Sequence, residues 1–288
     1  MNPAVKSMLE RYECRNAGDV EHALREIFQE LALLGLWRGK FFERAAFYGG
    51  TALRILHGLD RFSEDMDFSL LKPEPRFNWN PYCRFMEREL GAWGFPVTVQ
   101  VKEKTADSAI ESAFLKADTL TQMLLIETPE PLQSGIHGNQ VLRIKLEVDT
   151  NPPGGFETEV RFLLQPLPFP VRVYTEPSLF AGKMHALLCR TWGRRVKGRD
   201  WYDLVWYISR AVPLNLNHLE SRMRQTGHWT GGESLAEADF RRMLKERIQT
   251  LDVELAKKDA ELFVRNPDSV SVWSRDFFEQ ITAKIRVQ

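Results

Sequence analysis

Residues 49–68 read GGTALRILHGLDRFSEDMDF, two short motifs joined by one amphipathic segment. Gly49 and Gly50 let the backbone approach an anion closely, because neither carries a side chain. Thr51 follows as a candidate helix N-cap, and residues 51–59 carry an apolar stripe at helical spacing. Free N–H groups at the start of a helix favour bound phosphate. This half of the stretch predicts a turn and a helix start that contact a triphosphate.

The second half places two carboxylates, Asp65 and Asp67, one residue apart. Met66 and Phe68 alternate with them, which predicts a strand with one apolar face and one acidic face. Two adjacent carboxylates repel unless a cation lies between them, and Mg²⁺ or Mn²⁺ prefers such oxygen ligands. Asp65 and Asp67 are therefore predicted metal ligands of a site for phosphoryl or nucleotidyl transfer. The alternative is a pair of solvated loop carboxylates.

Length and composition indicate a globular chain of one large or two ordinary domains, with 288 residues, 43% apolar and 27% charged. Lys+Arg and Asp+Glu number 39 each, so no overall basic charge favours bulk nucleic-acid binding. Cys14, Cys83 and Cys189 are widely spaced, which is typical of reduced cytosolic thiols and not of a zinc site. The histidines, His185 and His228 among them, show no ligand spacing. We expect a cytoplasmic protein without a signal peptide or a membrane span.

Hydrophobic periodicity divides the chain near residue 175. Before that point we predict helices over residues 20–36, 51–59 and 81–93, and strands over residues 45–48, 65–70, 97–101 and 141–149. After it, helices are predicted to begin at Pro177 and Arg199 and to cover residues 233–248, 251–263 and 273–285. Residues 105–130 give no clear pattern. The predicted fold class is α+β: a mixed sheet with flanking helices, then a helical domain.

Two later segments add to the first. Residues 183–190 read KMHALLCR, and residues 198–204 read GRDWYDL. In this order, with the GGTALR turn and the DxD strand, the three segments resemble the polymerase-β superfamily of nucleotidyltransferases. More narrowly, they resemble the AbiEii (MenT-type) nucleotidyltransferase toxins, which carry a lysine-bearing helix and an RDxYDL motif. The likeness spans residues 49–204.

The resemblance implies an enzyme that moves a nucleoside monophosphate from an NTP to an acceptor and releases pyrophosphate. In the better-understood relatives the acceptor is the 3′ end of tRNA, and the toxin is encoded beside an antitoxin protein. It also implies a nucleotidyltransferase domain over residues 1–175. A helical domain over residues 176–288 would contribute a lysine and an aspartate to the cleft. The implied cofactor is Mg²⁺ or Mn²⁺.

By the same resemblance, Lys183 and Asp200 are catalytic residues, with Lys183 placing a positive charge on the triphosphate. The structural alternatives are a solvated helix lysine and a helix N-cap. A third carboxylate often completes the site of this superfamily as a base. Glu147 and Asp149 lie on one face of a predicted strand, and either is a candidate, with a slight preference for Asp149. A solvated strand face is the alternative.

Phosphate contacts are predicted around the first motif. The predicted nucleotide-binding residues are Gly49, Gly50, Thr51, Ser63 and Arg54. The resemblance implies that Ser63 contacts phosphate. The alternative is that Ser63 only caps the start of the strand. Arg61 is a further candidate, although surface arginines are common.

A basic stretch precedes the RDxYDL-like motif. Four cations lie within residues 194–199, namely Arg194, Arg195, Lys197 and Arg199, near Trp192 and Trp201. Such a stretch is able to hold an RNA backbone, with an aromatic ring for stacking. Its alternative is a solvated loop between helices.

The leading hypothesis is a metal-dependent nucleotidyltransferase that acts on RNA as a toxin. One alternative is the same chemistry on a protein or a small molecule. A second is a non-catalytic relative that binds nucleotide or a partner, although the retained Asp65 and Asp67 argue against it. A third is a two-metal nuclease, which would shorten RNA without releasing pyrophosphate.

Overall fold

A computed structural model describes residues 3–101, 110–118, 141–190 and 196–288. Predictions that concern His137, Trp192, Arg194 and Arg195 lie outside these residues. The chain forms two compact units. The sheet unit comprises Met1–His57, Ser63–Pro152 and Val160–Val173. The helical unit comprises Gly58–Phe62, Pro153–Glu159 and Tyr174–Gln288.

The sheet unit begins with two helices, then alternates strands with two more helices, and ends with a run of described strands. Its described helices are α1 (Pro3–Leu9), α2 (Ala17–Arg38), α3 (Gly49–His57) and α4 (Asn80–Ala92). Its strands are β1 (Ala45–Tyr48), β2 (Met66–Leu70), β3 (Thr98–Val101), β4 (Ile110–Asp118), β5 (Val141–Asp149), β6 (Thr158–Leu163) and β7 (Phe169–Tyr174). The described strands form a seven-stranded sheet in the order β3-β4-β5-β2-β1-β7-β6.

The sheet is mixed, and β2 lies at its centre. β2 pairs antiparallel with β1 and parallel with β5. Met66 and Phe68 of β2 are fully buried, and Phe68 packs edge-on against Phe41 with ring centroids 5.1 Å apart. Trp79 stacks on Phe41 at 5.4 Å. This aromatic core fixes which face of β2 is apolar, so Asp67 lies on the other face.

The first long helix is set by its N-terminus. Asn16 caps α2 by accepting a hydrogen bond from the Asp19 N–H at 3.0 Å, and Asp19 accepts in return from the Asn16 N–H at 3.3 Å. This reciprocal capping box extends the helix three residues before its predicted start. α2 then buries apolar residues from Val20 to Leu36 in the sheet unit.

The helical unit contains six described α-helices. They are α5 (Glu176–Cys189), α6 (Gly198–Ser209), α7 (Leu216–Gln225), α8 (Glu237–Gln249), α9 (Val253–Glu261) and α10 (Arg275–Thr282). Trp201 of α6 packs on Phe278 of α10 with ring centroids 4.7 Å apart. No helix among the described residues is long and apolar enough to span a membrane.

The α+β fold class is confirmed, and several local predictions are corrected. Thr51 is not an N-cap, because α3 already begins at Gly49. Asp65 precedes β2 and is not part of it. Asp200 is not an N-cap either, because α6 begins at Gly198 and Asp200 falls within its first turn. The sequence patterns did not predict α1, β4, β6 or α7.

Candidate active site

The Asp67 carboxylate lies directly against the backbone of Gly49. Gly49 has a φ of +83°, and an added Cβ there would lie 2.4 Å from Oδ2 of Asp67. A residue with a side chain would therefore be strained and would displace the carboxylate. The antiparallel pairing of β1 and β2 sets this contact, because Asp67 is in register with Tyr48. Gly49 is needed for the close approach of an acid as well as for the turn.

Residues 63–65 are held in place from two helices. The buried Thr51 hydroxyl of α3 lies 2.8 Å from the Ser63 hydroxyl and also contacts the Asp65 carbonyl. From α2, the Gln29 side-chain amide donates to the carbonyls of Ser63 and Glu64, both at 3.1 Å. These contacts fix the backbone from which the exposed Asp65 carboxylate projects. The described hydrogen bonds thus give Thr51 and Gln29 a positioning role.

Strand register distinguishes the two candidates for the third carboxylate. Glu147 is the direct β5 partner of Asp67, whereas Asp149 is the partner of Ser69, two residues further along. Partners on adjacent strands point to the same face about 4.8 Å apart. Glu147 is also paired with Lys145, whose Nζ lies 2.6 Å from its Oε1. Of the two candidates, Glu147 lies nearer Asp67.

Arg54 is engaged within the sheet unit. Its Nε lies 2.8 Å from a carboxylate oxygen of Glu26 on α2, and both side chains are largely buried. This pair ties α3 to α2. A phosphate contact by Arg54 stays a prediction.

The donor set of the acidic face suits a hard cation. Asp65, Asp67 and Glu147 offer carboxylate oxygens only, which is the ligand type that Mg²⁺ and Mn²⁺ prefer. The space that a Cβ at Gly49 would fill stays available to the Asp67 carboxylate. These residues fit a divalent ion.

A second cluster lies within the helical unit and is buried. Lys183 Nζ lies 2.6 Å from Oδ1 of Asp200 and 2.8 Å from Oδ2 of Asp203. The Arg61 guanidinium donates to both Asp203 oxygens, from Nε at 2.6 Å and from Nη2 at 2.7 Å. The Asp203 side chain has no exposed surface, and that of Lys183 is 13% exposed. Lys183 is therefore not a solvated helix lysine.

The pKa shifts in this cluster follow from the ion pairing. Burial opposes the charge of Lys183, but Asp200 and Asp203 outweigh burial and raise the Lys183 pKa. Burial likewise opposes the Asp203 carboxylate, but Arg61 and Lys183 outweigh it and lower the Asp203 pKa below its ordinary value. The Lys183 ammonium and the Asp203 carboxylate are thus both charged at neutral pH.

One buried carboxylate oxygen of this cluster is available to a ligand. Oδ2 of Asp200 is buried and has no hydrogen-bond partner among the described residues, whereas Oδ1 is held by Lys183. A buried acceptor without a partner is costly unless something else satisfies it. Lys183 therefore orients the Asp200 carboxylate through Oδ1, and Oδ2 can accept a hydrogen bond from a ligand.

The sequence patterns missed Asp203 as a site residue and did not predict its pairing with Arg61. Arg61 is a candidate phosphate contact whose alternative is a surface arginine; the structure rules out the alternative, because Arg61 is 3% exposed and bound to Asp203. The available signal was the spacing of Asp200 and Asp203, which are three residues apart and so share one face of an amphipathic helix. No local signal identified Arg61 as their partner, because the pair is 142 residues apart.

Part of the basic stretch is described. Arg199 lies with its guanidinium carbon 3.8 Å from the ring centroid of Phe263, a cation–π contact in the helical unit. Burial lowers the pKa of Lys197. These two cations are packed against the protein. An RNA contact by the stretch stays a prediction.

Comparison with known proteins extends the likeness beyond the motifs. A family model described as "Nucleotidyl transferase AbiEii toxin, Type IV TA system" matches residues 31–278. A candidate nucleotidyltransferase structure from H. pylori is 18% identical, covers 89% of this chain and 89% of its own, and has a TM-score of 0.49. JHP933 from Helicobacter pylori is 17% identical, covers 90% and 88%, and has a TM-score of 0.47. No match was found among curated proteins.

Proposed function

The chain belongs to the AbiEii nucleotidyl transferase toxin family and is a nucleotidyltransferase, and we propose that it transfers a nucleoside monophosphate from an NTP to RNA, at the 3′ end of tRNA. The observation that carries this proposal is the acidic face of the sheet unit. There the Asp67 carboxylate lies against Gly49, Asp65 precedes it by two residues, and Glu147 is in register with it.

The carboxylates of Asp65 and Asp67 hold Mg²⁺ or Mn²⁺ in this proposal. When bound, such an ion neutralises developing charge on the phosphate oxygens. Glu147 takes the proton from the acceptor hydroxyl, since it is the strand partner of Asp67. Asp149 is the alternative base, two residues further along β5.

The transfer is an in-line displacement at the α-phosphorus. The acceptor hydroxyl oxygen forms the new P–O bond, the bond to the β-phosphate oxygen breaks, and pyrophosphate leaves with its electron pair. Backbone N–H groups at the start of α3, from Gly49 to Thr51, bind phosphate oxygens. By the resemblance of their motifs, Lys183 supplies positive charge to the nucleotide and Asp200 acts in the same reaction. Ser63 adds a phosphate contact.

The setting follows from the family. Its description names a type IV toxin–antitoxin system, so we assign an antitoxin as the factor that limits this activity. Free thiols at Cys14, Cys83 and Cys189 are consistent with action in the cytoplasm, where NTP and tRNA meet.

The test is an incubation of the full chain with each labelled NTP, Mg²⁺ or Mn²⁺, and total RNA. Parallel reactions contain whole proteome or small metabolites in place of RNA. We expect label on an RNA of tRNA size, stoichiometric pyrophosphate, and extension of the 3′ end.

The outcome separates the proposal from its alternatives. Label on protein or metabolites would change the acceptor and leave the chemistry intact. Shortened RNA without pyrophosphate would identify a nuclease. Loss of transfer in Asp67→Asn, with full transfer in the exposed control Asp276→Asn, would assign the activity to this site.

A further inference from the structure

Three side chains that commonly ligate metals meet in the helical unit, and none of them is among the residues assigned to catalysis or nucleotide binding above. His185 and Cys189 belong to α5, and His228 follows α7. One ligand atom from each lies within 4.8 Å of the other two. We propose that His185, Cys189 and His228 form a zinc site.

Local structure brings the three together. His185 and Cys189 are four residues apart on α5, so their side chains share one face of the helix. His228 comes from the turn after α7, and its ring lies 6.2 Å from that of His185 between centroids. The Thr226 hydroxyl is 2.9 Å from Nε2 of His185 and 2.9 Å from Nδ1 of His228. One hydroxyl thus contacts both rings, and a histidine that ligates a metal through one ring nitrogen can bond such a partner through the other.

The donor set selects the metal. Imidazole nitrogen and thiolate sulfur suit Zn²⁺, whereas Mg²⁺ and Mn²⁺ need the oxygen ligands found on the acidic face of the sheet unit. Three protein ligands leave a fourth tetrahedral position for water. Zn–N and Zn–S bonds imply ligand atoms about 3.3–3.8 Å apart. The side chains therefore close by about 1 Å on binding, which rotamer adjustment of the exposed His228 allows.

Charge near the site limits its affinity without preventing binding. Arg190 and Arg222 act on His185, and Arg222 and Arg247 act on Cys189. These cations oppose a dication. A cysteine that ligates zinc gives up its thiol proton to water, so the bound site gains one positive charge and not two. Binding is therefore accompanied by the release of one proton.

A zinc ion bound at this site would restrain α5. His185 and Cys189 lie in the C-terminal part of that helix, and His228 lies beyond the end of another. Zinc would fasten the turn after α7 to α5, the helix that carries Lys183. The inference does not depend on nucleotide transfer, because its readouts are metal binding and stability.

The test uses the full chain, stripped with a chelator and titrated with Zn²⁺ alone against a chromophoric competitor. Co²⁺ is added in parallel, because thiolate ligation gives a sulfur-to-cobalt charge-transfer band in the near ultraviolet. The variants are Cys189→Ser and His228→Ala. Their matched controls are Cys83→Ser, also a buried cysteine, and His22→Ala.

We expect one zinc per wild-type chain, release of one proton, a raised melting temperature, and the cobalt band. Both controls should retain all four properties, and both site variants should lose them. His228 is exposed, so His228→Ala should melt like wild type without metal, which separates loss of binding from misfolding. An absence of stoichiometric zinc in wild type, or its retention in His228→Ala, would overturn the proposal.

Discussion

The acidic face of the sheet unit and the ion cluster of the helical unit use carboxylates in opposite ways. Asp65, Asp67 and Glu147 place three carboxylates on a surface that solvent reaches, where Glu147 forms an ion pair with Lys145. In the cluster, by contrast, Asp203 is fully buried between the cations of Arg61 and Lys183. Like charges at a surface are suited to bind a cation that arrives with substrate. Alternating charges in the interior are already neutralised by their neighbours.

This difference separates activity from stability. Substitution on the acidic face should abolish nucleotidyl transfer and leave the fold intact, because it removes little packing. Substitution at the centre of the cluster should cost stability first, because it leaves buried charges without partners. The predictions below test that division.

The largest effect is expected for Asp67→Asn. The amide keeps the shape beside Gly49 but loses the charge that is proposed to bind metal, so transfer should fall by more than about 100-fold, beyond the cost of an outer-sphere partner. Initial rates of pyrophosphate release measure the loss. The melting curve should match wild type. A variant that transfers normally would exclude Asp67 from the mechanism.

Asp203→Asn should be the most destabilising change. It leaves Arg61 and Lys183 buried without their shared carboxylate, at a cost of about 3–5 kcal/mol. Urea denaturation measures it. The matched control is Glu237→Gln, which breaks the exposed pair with Arg241 and should cost at most about 0.5 kcal/mol. Equal losses in both variants would contradict the contrast drawn here.

Lys183→Met should show both effects. Asp203 keeps Arg61, but the buried Asp200 loses the cation that holds its Oδ1, so the stability loss should approach that of Asp203→Asn, at about 3 kcal/mol. If Lys183 also binds the nucleotide, KM for NTP rises or kcat falls at a temperature where the variant is folded. An unchanged response to NTP would make Lys183 a structural residue only.

Thr51→Val tests the positioning of residues 63–65. The substitution keeps the shape but removes the hydroxyl that contacts Ser63 and the Asp65 carbonyl, which should cost about 1 kcal/mol. Transfer should fall less than in Asp67→Asn, because Asp65 is displaced and not removed. Thr51→Ser retains the hydroxyl and should restore both properties. A Thr51→Ser variant as defective as Thr51→Val would assign the effect to the lost methyl.

The smallest effect is a pH dependence. The pKa of Asp203 is lower in the folded chain than its ordinary value of 3.8. Its ionisation therefore stabilises the fold fully above pH 3.8, and this contribution is lost as the pH falls through the folded pKa. The stability gap between wild type and Asp203→Asn should be constant near neutral pH and narrow below 3.8. A gap that widens in acid would reverse the assigned sign.

Local pattern predicted what depends on neighbours in sequence. The alternation around Asp67 gave β2, and the apolar stripe after Gly50 gave α3 to within a few residues. Local pattern failed where a side chain interacts with residues that are distant in sequence. Thr51 is a residue type that often caps helices, but its hydroxyl contacts the Ser63 hydroxyl and the Asp65 carbonyl instead.

The proposed zinc site likewise combines a local sequence pattern with a residue that only folding brings near. His185 and Cys189 have helical spacing, yet a pair alone is no ligand set, and His228 is separated from them by α6 and α7. Only folding adds the third ligand, and only folding places Thr226 between the two rings.

The sequence by itself determined the family, the α+β class and the acids of the DxD pair, because periodicity and short motifs are local properties of a chain. The tertiary structure alone decided that Glu147 is the strand partner of Asp67 and that Arg61 joins Asp203. Strand register and buried ion pairs connect residues far apart in the chain. Their energies depend on burial and on distances of a few ångströms, which no spacing along the sequence specifies.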